Sequence, residues 1–117
     1  DYLLIPNIIY THPEVASIGF TEKEARETGR TVQVGTSAIK ANGRAKAAGE
    51  SEGLVKLIFD KETDKLLGMH LFMPHASELI SFGVMALKAR ATRKELAHLP
   101  FGHPTLSEAI KEACAYL

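Results

Sequence analysis

The chain has 117 residues, with 14 basic and 14 acidic side chains that give a formal net charge of zero. Hydrophobic residues make up 45% and charged residues 24%, a balance that favours one globular domain and excludes a disordered or low-complexity segment. The neutral surface argues against nucleic acid and against an anionic membrane surface, and no apolar run approaches the roughly 20 residues of a spanning helix.

The first residues and the cysteine count bear on the origin of the chain. It begins at Asp1 without methionine and runs at once into an apolar segment, which we interpret as a piece of a longer protein. Tag removal or processing is the alternative. One cysteine, Cys114, excludes an internal disulfide, and no secretory leader is visible, so we expect the cytoplasm, or the mitochondrial matrix in a eukaryote.

The first third of the chain predicts strands and one short helix. Short, β-prone apolar runs predict strands at residues 8–10, 15–20 and 31–34. Thr21 and Glu24 have the spacing of a capping box, which predicts a helix that begins there and ends at Gly29. Residues 40–51 are rich in alanine and glycine and predict a loop with room for one helical turn.

The middle of the chain contains the clearest hairpin, with strands at residues 54–59 and 66–73 and a polar turn between them. Alternation assigns the side chains of the second strand to two faces, Leu67, Met69, Leu71 and Met73 on one and Leu66, His70 and Phe72 on the other. Because both sets contain large apolar residues, we expect both faces of this strand to be covered.

The last third predicts three helices. The first, at residues 75–89, is apolar over so much of its surface that we expect another subunit or domain to cover part of it. Capping boxes at Thr92 and Glu95 and at Thr105 and Glu108 open the other two. One apolar stripe marks the last helix, at Leu106, Ala109, Ile110, Ala113, Cys114 and Leu117. The predicted class is α+β, a largely antiparallel sheet packed with helices.

Most cofactor and metal signatures are absent from the sequence. It has no Gly-x-Gly-x-x-Gly, no Walker loop and no Cys-x-x-Cys. No two of the five histidines have the i, i+4 spacing of a ligand pair, so we predict no metal site. We interpret Cys114 as a buried small hydrophobe and His70, His75 and His98 as structural or surface groups.

His103 and Glu108 are the candidate catalytic residues. His103 lies just before Pro104 and a helix start, and Glu108 lies one turn into that helix. A carboxylate that orients a histidine ring is the arrangement of a general base. The alternative is structural, because Glu108 can instead accept the backbone N–H of Thr105 as part of the capping box. The spacing leaves both open.

Several motifs together resemble one family. Residues 103–108, His-Pro-Thr-Leu-Ser-Glu, are similar to the C-terminal motif of the dihydrolipoamide dehydrogenases, which are flavoprotein disulfide reductases of the pyridine nucleotide-disulfide oxidoreductase family. Further segments resemble that family in the same order, at residues 5–19, 42–45, 53–58, 67–70 and 76–80. The resemblance runs from about residue 5 to the C-terminus and identifies residues 1–117 as a C-terminal interface, or dimerisation, domain.

The resemblance implies a function that this chain performs with others. The full enzyme has an FAD domain, which carries the redox-active cysteine pair, an NAD domain and this domain, and works as an obligate homodimer. His103 would take the proton of dihydrolipoamide at the partner's redox disulfide, and Glu108 would orient the His103 ring. The backbone of His103 and Pro104 would approach the partner's FAD. The fragment alone would bind neither FAD nor NAD, would be inactive, and would dimerise or aggregate. A lipoyl-bearing 2-oxoacid dehydrogenase complex is a possible partner.

Two residues depart from the family pattern, and other functions stay open. Phe101 stands where the family commonly has a second histidine, and Met73 stands where a glycine is expected before Pro74. Glutathione and trypanothione reductases share the His-Pro-Thr and the later glutamate. The alternatives are a stand-alone, non-catalytic dimerisation module, and the same domain in a reductase for another disulfide or a quinone.

Overall fold

A computed structural model describes residues 2–115 of the chain. In that range five strands form one antiparallel sheet in the order β1-β2-β5-β4-β3. The strands are β1 (Asn7–Ile9), β2 (Glu14–Gly19), β3 (Val32–Ala38), β4 (Leu54–Asp60) and β5 (Leu66–Met73). The α+β class and the antiparallel sheet are therefore confirmed.

Five α-helices and two short 3-10 helices complete the described part. The α-helices are α1 (Glu22–Glu27), α2 (Gly43–Ala48), α3 (Ala76–Lys88), α4 (Arg93–His98) and α5 (Glu108–Ala115). The 3-10 helices are Tyr2–Leu4 and Ile39–Ala41. Within residues 2–115, no helix has the length and apolar character needed to cross a membrane.

Local hydrogen bonds explain where the short helices begin. Thr21 and Glu24 at α1, and Thr92 and Glu95 at α4, each make both hydrogen bonds of a capping box, so these two predictions are confirmed. Gly29 follows the end of α1 with a φ of 87°, a backbone conformation that glycine adopts without strain.

Residues 40–51 are more helical than predicted. The 3-10 helix and α2 occupy much of this segment, because it buries Ile39 and Ala45 completely against the sheet. Asn42 caps the N-terminus of α2, and Gly49 ends it in the left-handed region. The strand before it is also longer than predicted, since β3 stays paired with β4 as far as Ala38.

A β-bulge changes the predicted face assignment in β5. Phe59 pairs with Leu66 and Ile58 pairs with Gly68, so Leu67 has no partner of its own. Leu66 therefore joins the same core as Met69, and Leu67 packs in the smaller cluster on the other side of the sheet. The prediction that grouped Leu67 with Met69 was wrong because strict alternation fails across a bulge.

The helices cover one side of the sheet more completely than the other. On one side α3 packs on β2 and β5, and α5 packs on β3 and β4, which encloses the main core. The opposite side has a small cluster at Ala25 of α1, Val32 and Ile58. Beyond it, an apolar row of successive cross-strand partners lies partly open, formed by Ile9, Val15, Phe72 and Leu54. The prediction that both faces of β5 are covered was therefore wrong for the outer face near Phe72.

The α3 helix is covered more fully by its own chain than its composition suggests. Ala76, Ile80, Gly83 and Ala86 are buried, and Phe82 packs against Phe101 with ring centroids 5.7 Å apart. Met85 is the large apolar side chain of α3 that stays exposed, at 69%. In α5, Ala109, Ile110, Ala113 and Cys114 are buried as predicted, and Leu117 lies outside the described residues.

Candidate functional site

The candidate site lies in the segment that joins α4 to α5. This segment, residues 99–107, carries His103 on an exposed loop, and Glu108 is the first residue of α5. Ser37 on β3 donates a hydrogen bond to the backbone oxygen of Ala109 at 2.6 Å, which ties the first turn of α5 to the sheet. The sheet and α5 therefore fix the carboxylate, and the loop brings the histidine to it.

His103 and Glu108 are in hydrogen-bond contact. The Nδ1 atom of His103 is 3.1 Å from Oε1 and 3.0 Å from Oε2 of Glu108. The His103 side chain is 81% exposed. A carboxylate at Nδ1 favours the tautomer in which Nδ1 carries the proton, so that Nε2, on the far side of the ring, is free to accept one.

Glu108 also holds the loop. Its Oε1 accepts the backbone N–H of Thr105 at 2.8 Å, so the carboxylate makes the capping contact and the histidine contact together. The other half of the predicted capping box is missing, because the Thr105 hydroxyl donates to the oxygen of Gly102. The helix starts at Glu108, two residues later than the predicted Leu106, after a tight turn in which the N–H of Ala109 bonds to the Leu106 oxygen.

The electrostatics of the site favour an ionised Glu108. The hydrogen bond from the Thr105 backbone, followed by that from His103, lowers the pKa of the Glu108 carboxyl below its ordinary value of 4.5. Lys111, one turn further along α5, acts in the same direction. Glu108 is therefore a carboxylate at neutral pH, as an orienting partner for an imidazole has to be.

One residue that the sequence analysis did not single out reaches this site. The Asn42 side chain donates from Nδ2 to the backbone oxygen of Thr105 at 3.0 Å. A sequence signal was present, since Asn-Gly ahead of an alanine-rich run is a helix start, but those residues were interpreted as loop. The 63-residue separation between Asn42 and Thr105 left their contact invisible to pattern analysis.

The remaining candidate residues do not join the site. His70 Nε2 lies 2.9 Å from the Phe20 oxygen, and His98 Nδ1 lies 2.7 Å from the Lys94 oxygen. Burial raises the pKa of the Cys114 thiol to about 12, which fits an inert core cysteine. Phe101, which replaces the expected histidine, instead packs its ring on α3.

The described residues bear on metal binding and on access to the His103 loop. They contain no group of three or more His, Cys, Asp or Glu side chains that could hold a metal ion. Gly102, His103 and Pro104 are exposed, so a large group can approach this loop from outside the chain.

Comparison with protein families gives one match along nearly the whole chain. Residues 5–114 match the family described as the pyridine nucleotide-disulphide oxidoreductase dimerisation domain. The matched region includes β1 through Cys114 of α5, and so contains both residues of the candidate pair.

Curated relatives are close to half identical. The mitochondrial dihydrolipoyl dehydrogenase of Pisum sativum is 50% identical over 113 residues, which is 97% of this chain and 23% of that protein. The leghemoglobin reductase of Glycine max is also 50% identical over 113 residues, 97% of this chain and 22% of that protein. The dihydrolipoyl dehydrogenase of Rhizobium etli is 48% identical over 109 residues, 93% of this chain and 23% of that protein.

Solved structures have the same fold. LpdA from Mycobacterium tuberculosis superposes with a TM-score of 0.91 at 28% identity, over 98% of this chain and 25% of that one. The HOCl-induced flavoprotein disulfide reductase RclA from Escherichia coli gives 0.90 at 30% identity, over 95% of this chain and 26% of that one. The chain thus spans about a quarter of the length of the proteins it matches.

Proposed function

Because the chain belongs to the dimerisation domain family of the pyridine nucleotide-disulphide oxidoreductases, we propose that residues 1–117 are the C-terminal domain of a homodimeric dihydrolipoamide dehydrogenase. The half-identical dihydrolipoyl dehydrogenases support the activity. Their fourfold greater length supports a complete enzyme in which other domains carry the cofactors and the redox disulfide.

His103 is the proposed general base. The observation that carries this role is the Glu108 carboxylate, which bonds His103 Nδ1 and the Thr105 N–H at once and leaves Nε2 of this 81% exposed side chain free to accept a proton. A thiol of dihydrolipoamide would lose its proton to Nε2, and the thiolate would attack one sulfur of the partner subunit's disulfide, forming a mixed disulfide while the other cysteine leaves as a thiolate. The ionised Glu108 stabilises the imidazolium that results.

The cofactors belong to the other domains of the proposed enzyme. FAD would accept the electron pair from the reduced disulfide and pass it to NAD. His103 and Pro104 lie on the exposed loop that would face the partner's flavin. This chain would contribute the proton transfer, the orientation of the base and the surface that brings two subunits together.

The partner complex and the compartment follow from the same proposal. A lipoyl-bearing 2-oxoacid dehydrogenase complex would supply the reduced dithiol. The compartment would be the mitochondrial matrix in a eukaryote, in keeping with the mitochondrial relatives from plants, and the cytoplasm in a bacterium.

Replacement of the proposed base tests the function. In the complete enzyme, His103→Gln should lower turnover with dihydrolipoamide by roughly 10²–10⁴, the contribution of a positioned general base. His98→Gln, on the exposed end of α4, is the matched control and should leave turnover within about twofold. Flavin content should stay the same in both. Near-normal turnover of the His103 variant would overturn the proposal.

A second candidate is the same domain in a reductase for another substrate. The similarity to a leghemoglobin reductase and to RclA, a HOCl-induced flavoprotein disulfide reductase, supports this candidate, because neither name refers to dihydrolipoamide. The ratio of kcat/KM for dihydrolipoamide to that for other disulfides and quinones distinguishes the two. A low ratio with the His103 dependence intact would select this candidate.

A stand-alone module is the remaining alternative, and the natural gene tests it. A reading frame that continues upstream of Asp1 through a Gly-x-Gly-x-x-Gly and a close cysteine pair would support the enzyme. A start codon just before Asp1 would select the non-catalytic module.

A further inference from the structure

Asn42 is unusual among the polar side chains of this fold. It is 7% exposed, and among residues 3–115 it is the only polar or charged residue that is buried. A buried amide has to satisfy its donor and its acceptor within the protein, because each unsatisfied group costs free energy. The hydrogen bonds of Asn42 therefore indicate what its burial achieves.

The side-chain amide connects two parts of the chain. Its Oδ1 accepts the N–H of Ala45 at 2.9 Å, which caps α2, and its Nδ2 donates to the oxygen of Thr105 at 3.0 Å. The opposite amide orientation would set two donors together at Ala45 and two acceptors together at Thr105. The network thus fixes which end of the amide points at the loop.

The backbone of Asn42 is itself held by two hydrogen bonds. Its N–H donates to the Ile39 oxygen at 2.8 Å, and its own oxygen accepts the N–H of Lys46 at 3.0 Å. Ile39 and Ala45, on either side, are completely buried in the main core. Backbone and side chain are both held, so Asn42 presents its Nδ2 at a fixed place.

Thr105 links Asn42 to the His103–Glu108 pair. The Thr105 oxygen is available to Asn42 because the first amides of α5, those of Ala109 and Ile110, bond to Leu106 and Ser107 instead. On the other side of the same residue, the Thr105 N–H holds Oε1 of Glu108, whose oxygens hold His103.

The loop has few other polar anchors. Residues 101–108 bond mainly to one another, through Thr105 to Gly102 and to Glu108. In the described part of the chain, the only side-chain hydrogen bond that reaches residues 101–108 from another element comes from Asn42. Apolar packing of Phe101 on α3 and of Leu106 on the main core holds the segment against the rest of the domain. The directional hydrogen bond from Asn42 fixes where the backbone of the segment turns.

We infer that Asn42 is a positioning residue for the His103–Glu108 pair, which it fixes by holding the backbone of Thr105. The inference rests on the proposed function, since the pair has to be catalytic for its position to matter to turnover. Misplacement of a catalytic group by about 1 Å can cost up to about 10²-fold in rate. Loss of one of several supports should cost less, about tenfold.

Asn42→Ser in the complete enzyme is the first test. Serine still offers an oxygen to the Ala45 N–H and remains a good helix cap, but it is too short to donate to Thr105. We expect kcat with dihydrolipoamide to fall about tenfold, with the KM for NAD and the flavin content unchanged. Asn42→Asp, which keeps the length and loses the donor, should give at least the same loss.

Thr92→Ala is the matched structural control. It removes the capping side chain from the N-terminal end of α4, the opposite end of that helix from the loop, and should lower thermal stability without lowering kcat. A kcat within about twofold of wild type in both Asn42 variants would overturn the inference. So would an equal loss of kcat in Thr92→Ala, because general destabilisation would then explain the effect.

The double variant with Glu108→Gln separates positioning from an independent effect. If Asn42 acts through the pair, its replacement should cost much less once Glu108 has been changed, so the two losses should not multiply. Fully multiplicative losses would overturn the inference. If His103→Gln and Glu108→Gln themselves leave kcat unchanged, the proposed function fails; if they lower kcat and Asn42→Ser does not, the inference alone fails.

Discussion

The Glu108 carboxylate combines two roles that the sequence presented as alternatives. A carboxylate has two oxygens that can each accept more than one hydrogen bond, so Oε1 serves the Thr105 N–H while both oxygens face His103. The helix-start geometry then contributes to the chemistry, because the Thr105 bond keeps the carboxylate ionised and in place beside the ring.

The lowered pKa of Glu108 gives a pH-dependent prediction for stability. A carboxyl whose folded pKa lies below its unfolded value stabilises the fold above the unfolded pKa, near 4.5, and this contribution is lost as pH falls through the lower folded pKa. Glu108→Gln removes that contribution. Wild type should therefore be more stable than the variant at about pH 7, and the difference should shrink toward about pH 3.

Urea unfolding of the chain at both pH values measures this difference. Glu112→Gln is the control, because it removes the same charge from an exposed position of the same helix. A stability difference between wild type and Glu108→Gln that does not change with pH would contradict the assigned role of the carboxylate.

Elements with local causes were predicted well, and elements with distant causes were not. The β4–β5 hairpin and the caps of α1 and α4 depend on residues close in sequence, and the structure confirms them. The α2 helix and the extra length of β3 depend on burial against residues far along the chain. The same limit applies to the site, where the His103–Glu108 contact was anticipated and the Asn42 contact was not.

The close approach of the Phe20 backbone to β5 constrains Gly68. A Cβ at Gly68 would collide with the backbone oxygen of Phe20, which is also the atom 2.9 Å from His70 Nε2. Gly68→Ala should therefore push apart the chain segments that meet there and cost about 2–4 kcal/mol of unfolding free energy.

Gly43→Ala is the matched control for that substitution. Gly43 is the first residue of α2, and nothing lies within 4 Å of a Cβ built there. Alanine should be neutral or stabilise the chain by up to about 1 kcal/mol, since it favours helix. Equal thermal midpoints for the two variants would show that the close approach at Gly68 does not constrain the fold.

At the scale of the whole molecule, the proposed shared site constrains where two copies meet. His103 of one chain has to reach the other, so the contact has to include surface close to the loop of residues 101–104. Phe101 in that loop packs on Phe82 of α3, which places α3 beside it. The partly open row at Ile9 and Phe72 belongs to the other side of the sheet, away from α3.

Met85 is the residue through which this arrangement can be tested. It lies about one turn beyond Phe82 on α3 and exposes 69% of its surface, as expected for an apolar residue that another subunit covers. Met85→Glu would bury an unpaired charge in each half of the interface and should weaken the dimer by about 3 kcal/mol or more. Because each proposed active site would need His103 from the opposite chain, turnover should fall in parallel with dimer content as the enzyme is diluted.

Phe72→Glu introduces the same charge on the outer sheet row and should leave dimer content unchanged. Sedimentation and turnover of the complete enzyme, measured over one dilution series for both variants, give the comparison. A dimer that survives Met85→Glu and dissociates with Phe72→Glu would place the subunit contact on the outer face of the sheet. His103 would then be remote from the second subunit, and a base shared across the dimer would be untenable, whatever the effect of His103→Gln on rate.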